Sequence, residues 1–249
     1  MFPIIKSNTS YYLIKTNNGY YYQSYIDKKI VGLYSLLVSS NNNELITNKK
    51  NKLKDLKLFA YELTIGDFVL IPNYRNKLIT IGKVTSHYYC DNNRIYRNVK
   101  WLKTINISDF TILSKYFYFQ YNIVKINDLH YEIDRNIYQY YLKENMYHII
   151  IKVKQQENIL CKSLYGLYDL FLSNIDKNKL QIKITVQSPG IIELISDNID
   201  VIITIVKIIK LIRLLTKKEK ITNRVIKEKY EEYEIEKLKL ECPNFPNNS

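Results

Sequence analysis

Apolar residues in this chain gather into short, uninterrupted blocks bounded by turn formers. Phe68 to Ile71 is such a block, entered through Gly66-Asp67 and stopped by Pro72, which predicts a short strand buried on both faces. Leu78 to Val84 and Asn98 to Leu102 follow at hairpin spacing, and their linkers carry Pro72, Asn73, Asn76, then Asp91, Asn92 and Asn93. Upstream, Ser10 to Lys15 and Ile30 to Leu33 read as two further strands, the first closed by Asn17-Asn18-Gly19, residues that tolerate the positive φ of a tight hairpin turn. The pattern predicts a β-meander at the centre of a small barrel. Between these blocks, Ser39 to Asn51 is polar and low in complexity, and Leu53, Leu56, Leu58 and Phe59 space out as a short amphipathic helix over about 52–61. Ile107 to Ile126 completes this half, with Phe117, Tyr118 and Phe119 expected to pack over its lid.

Past Asn127-Asp128 the periodicity changes. Ile133, Ile137, Tyr140 and Tyr141 predict a helix from Glu132 to about Leu142, followed by a strand at His148 to Val153. Ile159 to Leu172 carries a Leu/Phe stripe of helical spacing, Leu180 to Val186 and Ile191 to Ile195 read as strands, and Ser188-Pro189-Gly190 as the turn between them. Asn198 to Leu215 is the most apolar helix, with Lys207, Lys210 and Arg213 on one side of it. Thr216 to Glu241 continues as a charged helix with a narrow apolar stripe, suited to projection or pairing with a second copy. The expected class is α+β in three parts: a small barrel over 1–127, a small α+β domain over 128–198, and helices over 199–249.

Composition adds a location to this picture. The formal charge is +13, of which residues 1–127 hold +11, with 18 Lys and Arg against 7 Asp and Glu. Abundant Lys, Asn, Ile and Tyr point to an AT-rich genome, but that bias acts on both halves alike. A cationic excess confined to one half fits a polyanionic partner met there, nucleic acid foremost. The three cysteines are scattered and support neither a disulfide framework nor a zinc site. The three histidines lie apart, and no cofactor or metal motif is present. No glycine-rich phosphate loop, nucleophile elbow or carboxylate-lysine nuclease cluster nominates an enzyme. No stretch of about 20 residues is free of charge, so a cytoplasmic protein is expected, with membrane contact limited to the surface option of the 198–215 helix.

The loop Tyr88 to Tyr96 interleaves Tyr88, Tyr89, Arg94, Tyr96 and Arg97, a mixture that can stack on bases and pair with phosphates. Strand alternation then sets Val99 and Trp101 on one face and Lys100 and Leu102 on the other. The ordered blocks "YYLIKTNNGYYYQSYIDKKIVGLYS", "GDFVLIP", "ITIGKV" and "VKWL" resemble the PUA-like barrels of the EVE type, found in bacterial modification-dependent restriction and defence proteins. The resemblance covers the first half and implies a pocket that reads a nucleobase, often a modified one. On that pattern Gly32, Tyr34 and Trp101 would wall the pocket. Tyr12, Pro72 and Tyr74 would supply strand-end groups that read the base edge, and Tyr89, Arg94, Arg97 and Lys100 would meet nucleic acid around it. The alternative reading places the activity in the 198–240 helices, acting on a membrane or a partner protein.

Overall fold

The computed structural model describes residues 2–33, 50–110, 112–153, 166, 169–171, 173, 175–185 and 190–215. Tyr34, the polar stretch after Ser39, most of the Ile159 to Leu172 helix, the Ser188-Pro189 turn and the tail from Thr216 lie outside the described residues. The chain forms two compact units, one spanning Pro3–Gln139 and a second from Tyr140 onward.

After a two-residue strand β1 (Ile4–Ile5), the first unit is built on β2 (Tyr11–Ile14), β3 (Ile30–Gly32), β4 (Phe68–Pro72), β5 (Leu78–Val84), β6 (Tyr89–Asp91), β7 (Arg94–Asn106) and β8 (Ile123–Lys125). They join in the order β3-β7-β5-β4-β2-β8, with β6 on β7, as a curled half-barrel. β2 runs parallel to β4 and the other pairings are antiparallel. The continuous apolar runs of β2 and β4 have a simple cause. Tyr12, Ile14, Val69 and Ile71 enter one core, while Tyr11, Leu13, Phe68 and Leu70 enter another on the opposite face.

The first core is closed by α1 (Tyr22–Lys28), α2 (Lys50–Lys57) and a single π turn, Leu58–Glu62, through Tyr25, Leu56, Phe59 and Leu63. Asp55 of α2 is buried and ties this layer to β8 by accepting from the Asn122 backbone (3.0 Å), the Asn122 side chain (2.7 Å) and the Ile123 backbone (3.4 Å). The second core is closed by Phe110, Leu113, Tyr116, Leu129 and Ile133. Of the expected lid residues Phe117 packs there, but Tyr118 and Phe119 are exposed.

Ile133 belongs to α3 (His130–Ile137), which shifts the boundary expected at 127/128 to Gln139/Tyr140. Asn127, at the expected boundary, accepts from the Tyr11 backbone (2.9 Å), and Asp134 of α3 accepts from the buried Tyr11 hydroxyl (2.6 Å). The helix is also shorter than its apolar spacing suggested, because Tyr140 and Tyr141 belong to the next strand.

The second unit holds β9 (Tyr140–Lys143), β10 (Met146–Val153), β11 (Gln181–Thr185) and β12 (Gly190–Ser196), antiparallel in the order β9-β10-β12-β11. α4 (Ile199–Leu215) lays Val201, Ile202, Ile205 and Ile208 into a core with Ile149, Phe171 and Leu194. It is therefore part of this α+β unit and not the start of a separate extension: its apolar face covers its own sheet. Among the described residues no helix is long and apolar enough to cross a membrane.

A tyrosine-lined hollow on the first unit

Asn17, Asn18 and Gly19 adopt positive φ, as their side chains permit, but the chain then enters a helix instead of returning as a hairpin strand. Gly19 is required at that turn, since a Cβ there would lie 2.4 Å from the Tyr74 backbone nitrogen. The helix α1, with Tyr21 at its N-cap, thus carries Ser24, Tyr25 and Lys28 beside β3, β6 and β7, and with them encloses a half-open hollow of about 350 Å³.

Strand pairing explains its floor. Paired residues of antiparallel neighbours share a face, and the pairs here are Tyr89 with Tyr96, Asp91 with Arg94, Gly32 with Tyr96 and Ile30 with Asn98. One row of side chains, Arg94, Tyr96 and Asn98, is therefore flanked by Tyr89 and Asp91 on β6 and by Ile30 on β3. Gly32 is the place where this row needs space: a Cβ on it would sit 2.6 Å from the Tyr96 ring. Without one, the ring leans across β3, an aromatic covering a strand glycine. The hairpin is set by Asn92 (φ 47°) and Asn93 (φ 59°), the two left-handed positions of a tight two-residue turn.

The groups in the hollow are held by one another. Arg94 lies with its guanidinium carbon 5.5 Å from the centre of the Tyr21 ring, and Tyr21 stacks on Tyr25 at 6.0 Å. Slight burial works against the Arg94 charge, but hydrogen bonding to the Tyr21 and Tyr96 hydroxyls outweighs it and holds its pKa above the ordinary value. The Tyr25 hydroxyl donates to the Gly32 carbonyl (2.8 Å), and burial, reinforced by Tyr96 and Tyr21, pushes its ionisation well above the usual phenol range. Tyr89 is more exposed and donates to Asn98 Oδ1 (3.2 Å). Its pKa is raised in the same sense, by partial burial and then by Asp91.

The expected site residues divide sharply against this geometry. Tyr89 and Arg94 line the hollow, Gly32 lies under Tyr96, and Lys100 stands exposed further along the same row, cross-strand from Lys83. Trp101 does not line it. The indole lies against Gly82, where a Cβ would approach it to 2.5 Å, and donates to the Tyr25 carbonyl (3.1 Å). Trp101 thus braces α1 from behind and walls no pocket here; the hollow is walled by Tyr21, Tyr25, Tyr89 and Tyr96, and Tyr34 lies outside the described residues.

Arg97 is a second correction. It is only 2% exposed and donates to the carbonyls of Phe59 (3.0 Å), Ala60 (2.9 Å) and Ser86 (3.0 Å). The guanidinium gives three of its five donors to carbonyls of the π turn and of the strand-end loop, and its burial keeps it from a phosphate. Tyr12 is likewise buried in the core, where burial and the nearby Asp67 carboxylate push its hydroxyl up to about 12. Pro72 is buried at the end of β4, its carbonyl accepting from Thr16 Oγ1 (2.6 Å). Tyr74 is exposed in the turn after it with Arg75 over its ring, outside the hollow.

Residues 21–119, less than half of the chain, match the family model described as a domain of unknown function (DUF8426), and every lining residue of the hollow falls within that span. No curated protein and no solved structure matches the chain.

Proposed function

We propose that the first unit is a nucleic-acid recognition module that takes an unpaired base into the tyrosine-lined hollow. The observation that carries this reading is the gathering of four tyrosine rings and an arginine around one base-sized opening, in the half of the chain that holds +11 of the +13 charge. Aromatic faces stack on any base, and exposed cations nearby meet the phosphates. Tyr89 and Tyr96 offer the platform, while Lys28 at the end of α1, with Lys100 and Lys83, meets the backbone. A base in a duplex cannot reach such a site without leaving its stack, which favours single strands or flipped bases. The resemblance of this half to PUA-like, EVE-type barrels supports the same assignment, as a reader in a bacterial defence or regulatory protein, with a modified base among its possible targets.

The test is fluorescence anisotropy of labelled single-stranded and duplex oligonucleotides, ribo and deoxy, across a salt series. Single strands are expected to bind more tightly, with log affinity falling against log salt with a slope of about −2 for three lysine contacts. Tyr89→Ala is expected to weaken binding by about 1–3 kcal/mol, the value of one stacked base. Equal binding of duplex and single strand, indifferent to Tyr89, would overturn the assignment.

A further inference from the structure

Stacking on tyrosine does not distinguish one base from another, so any selectivity of the hollow has to come from groups that meet a base edge. Two such groups stand side by side at its open end. Asp91 and Arg94 are cross-strand partners on one face of the β6–β7 hairpin, next to the Asn92-Asn93 turn that fixes their register. Their Cβ atoms are therefore about 5 Å apart. Opposite charges in that position ordinarily pair, but here they do not. The Arg94 guanidinium is drawn onto the Tyr21 ring and hydroxyl (3.5 Å), and the exposed Asp91 carboxylate makes no hydrogen bond or ion pair among the described residues. The hollow thus presents a fixed fork of donors beside a pair of unused acceptor oxygens, both over an aromatic floor.

Of the common bases, guanine alone carries two acceptors, O6 and N7, directly beside two donors, N1–H and the 2-amino group. Adenine and cytosine each offer a single amino donor next to ring acceptors, and thymine and uracil place one N–H between two carbonyls. Arginine against O6 and N7 is the commonest specific contact to a base, and a carboxylate accepts from N1–H and the amino group as a matching pair. Resting on the reading of the hollow as a base site, we infer that the base it selects is guanine, with Arg94 donating to O6 and N7 and Asp91 accepting from N1–H and the 2-amino group. Tyr96 and Tyr89 supply the stacking surface, and Asn98, engaged by the Tyr89 hydroxyl, keeps that ring in place.

The experiment measures anisotropy of the full-length protein with nine-nucleotide oligothymidylates carrying a single central guanine, hypoxanthine, 7-deazaguanine, adenine or cytosine. Guanine is expected to bind about tenfold more tightly than adenine or cytosine, as one good bidentate contact provides. Hypoxanthine, which lacks only the 2-amino group, and 7-deazaguanine, which lacks only N7, are each expected to lose several-fold. Asp91→Asn is expected to bring guanine and hypoxanthine within about twofold of each other, because the amide presents one acceptor in place of two. Asp91 is exposed at a hairpin end, and an unchanged thermal melt of the variant verifies that the fold is intact. Equal affinity for all five oligonucleotides overturns the guanine assignment and leaves the stacking site standing. A preference for cytosine overturns it in favour of an Asp91 contact to the 4-amino group, and absence of binding to every oligonucleotide overturns both readings.

Discussion

A guanidinium that is buried and satisfied by carbonyl oxygens belongs to the folding problem before it belongs to the binding problem. Arg97 sits one residue from Tyr96 in a strand whose alternate side chains face opposite ways, so one arginine of the Arg94/Arg97 pair faces the hollow and the other the interior. In the sequence both read as surface cations, since nothing in a strand pattern says which carbonyls lie overhead. Burial disfavours its charge and lowers its pKa, an effect that Asp67 partly offsets. Arg97→Met leaves two buried carbonyls and one half-buried carbonyl unpaired and is expected to cost about 3 kcal/mol of stability, read by urea denaturation. Arg94→Met is expected to leave stability nearly unchanged and to weaken oligonucleotide binding. The reverse order of effects would mean that the two arginines have been assigned the wrong way round.

At the scale of elements, pH offers a probe of the second unit. Tyr141 on β9, His148 on β10 and Glu193 on β12 form a buried polar cluster: His148 Nδ1 lies 2.7 Å and the Tyr141 hydroxyl 3.1 Å from Glu193 Oε1, and the Tyr141 and His148 rings stack at 4.5 Å. Burial alone would raise the Glu193 carboxyl, but the hydrogen bond and charge of His148 outweigh it and hold the pKa below the ordinary glutamate value. A depressed folded-state pKa stabilises the fold above the unfolded value, near 4.3, and this contribution fades as pH falls through the lower folded value. Acid titration followed by circular dichroism is expected to show the wild type losing stability only below about pH 4. Glu193→Gln is expected to be less stable at neutral pH and to show a smaller acid-side loss, the remainder coming from groups such as Asp128, whose carboxyl, despite slight burial, is also held below its ordinary value by Tyr116 and Lys115. A variant as stable as wild type at pH 7 would contradict the assigned role.

How much of these elements could be read in advance follows from their physics. The strands at Phe68, Leu78 and Ile30 announce themselves because two-sided burial demands continuous apolar runs, and the Asn92-Asn93 turn because few residues accept its backbone angles. Tyr20 to Tyr25 gave no such signal. A run of amphipathic rings has no clear apolar period, so α1, and with it one wall of the hollow, could not be read. Trp101 misled in the opposite way: a lone tryptophan in a basic run of strands looks like a stacking wall, and only the position of the Tyr25 carbonyl shows it to be a brace.

For the whole molecule the relevant division is at Gln139/Tyr140. A fragment ending at 127 loses Ile133 from the second core and leaves the buried Tyr11 hydroxyl without Asp134. It is expected to be poorly folded, with a broad, weakly cooperative melt, because both losses fall in one face of the sheet. A fragment ending at 139 keeps both and is expected to melt cooperatively and to bind oligonucleotides as the full chain does. If the shorter fragment melts as sharply as the longer one, α3 contributes less to the first unit than its contacts suggest.

Between Ile81 and Gly82 the pairing of β5 with β7 slips by one, so that Lys103 opposes Ile81, Trp101 opposes Gly82, and Leu102 is supernumerary. That extra residue lets a single long strand change phase: Val99 enters the first core and Ile105 the second, although an even number of positions separates them. Removing Leu102 would put the two halves of β7 back in step. With Ile105 anchored, everything from Trp101 back to Arg94 would turn over, aiming Tyr96 and Asn98 at the interior and Arg97 at solvent. The outward orientation of the hollow is in this sense stored in one apparently dispensable leucine.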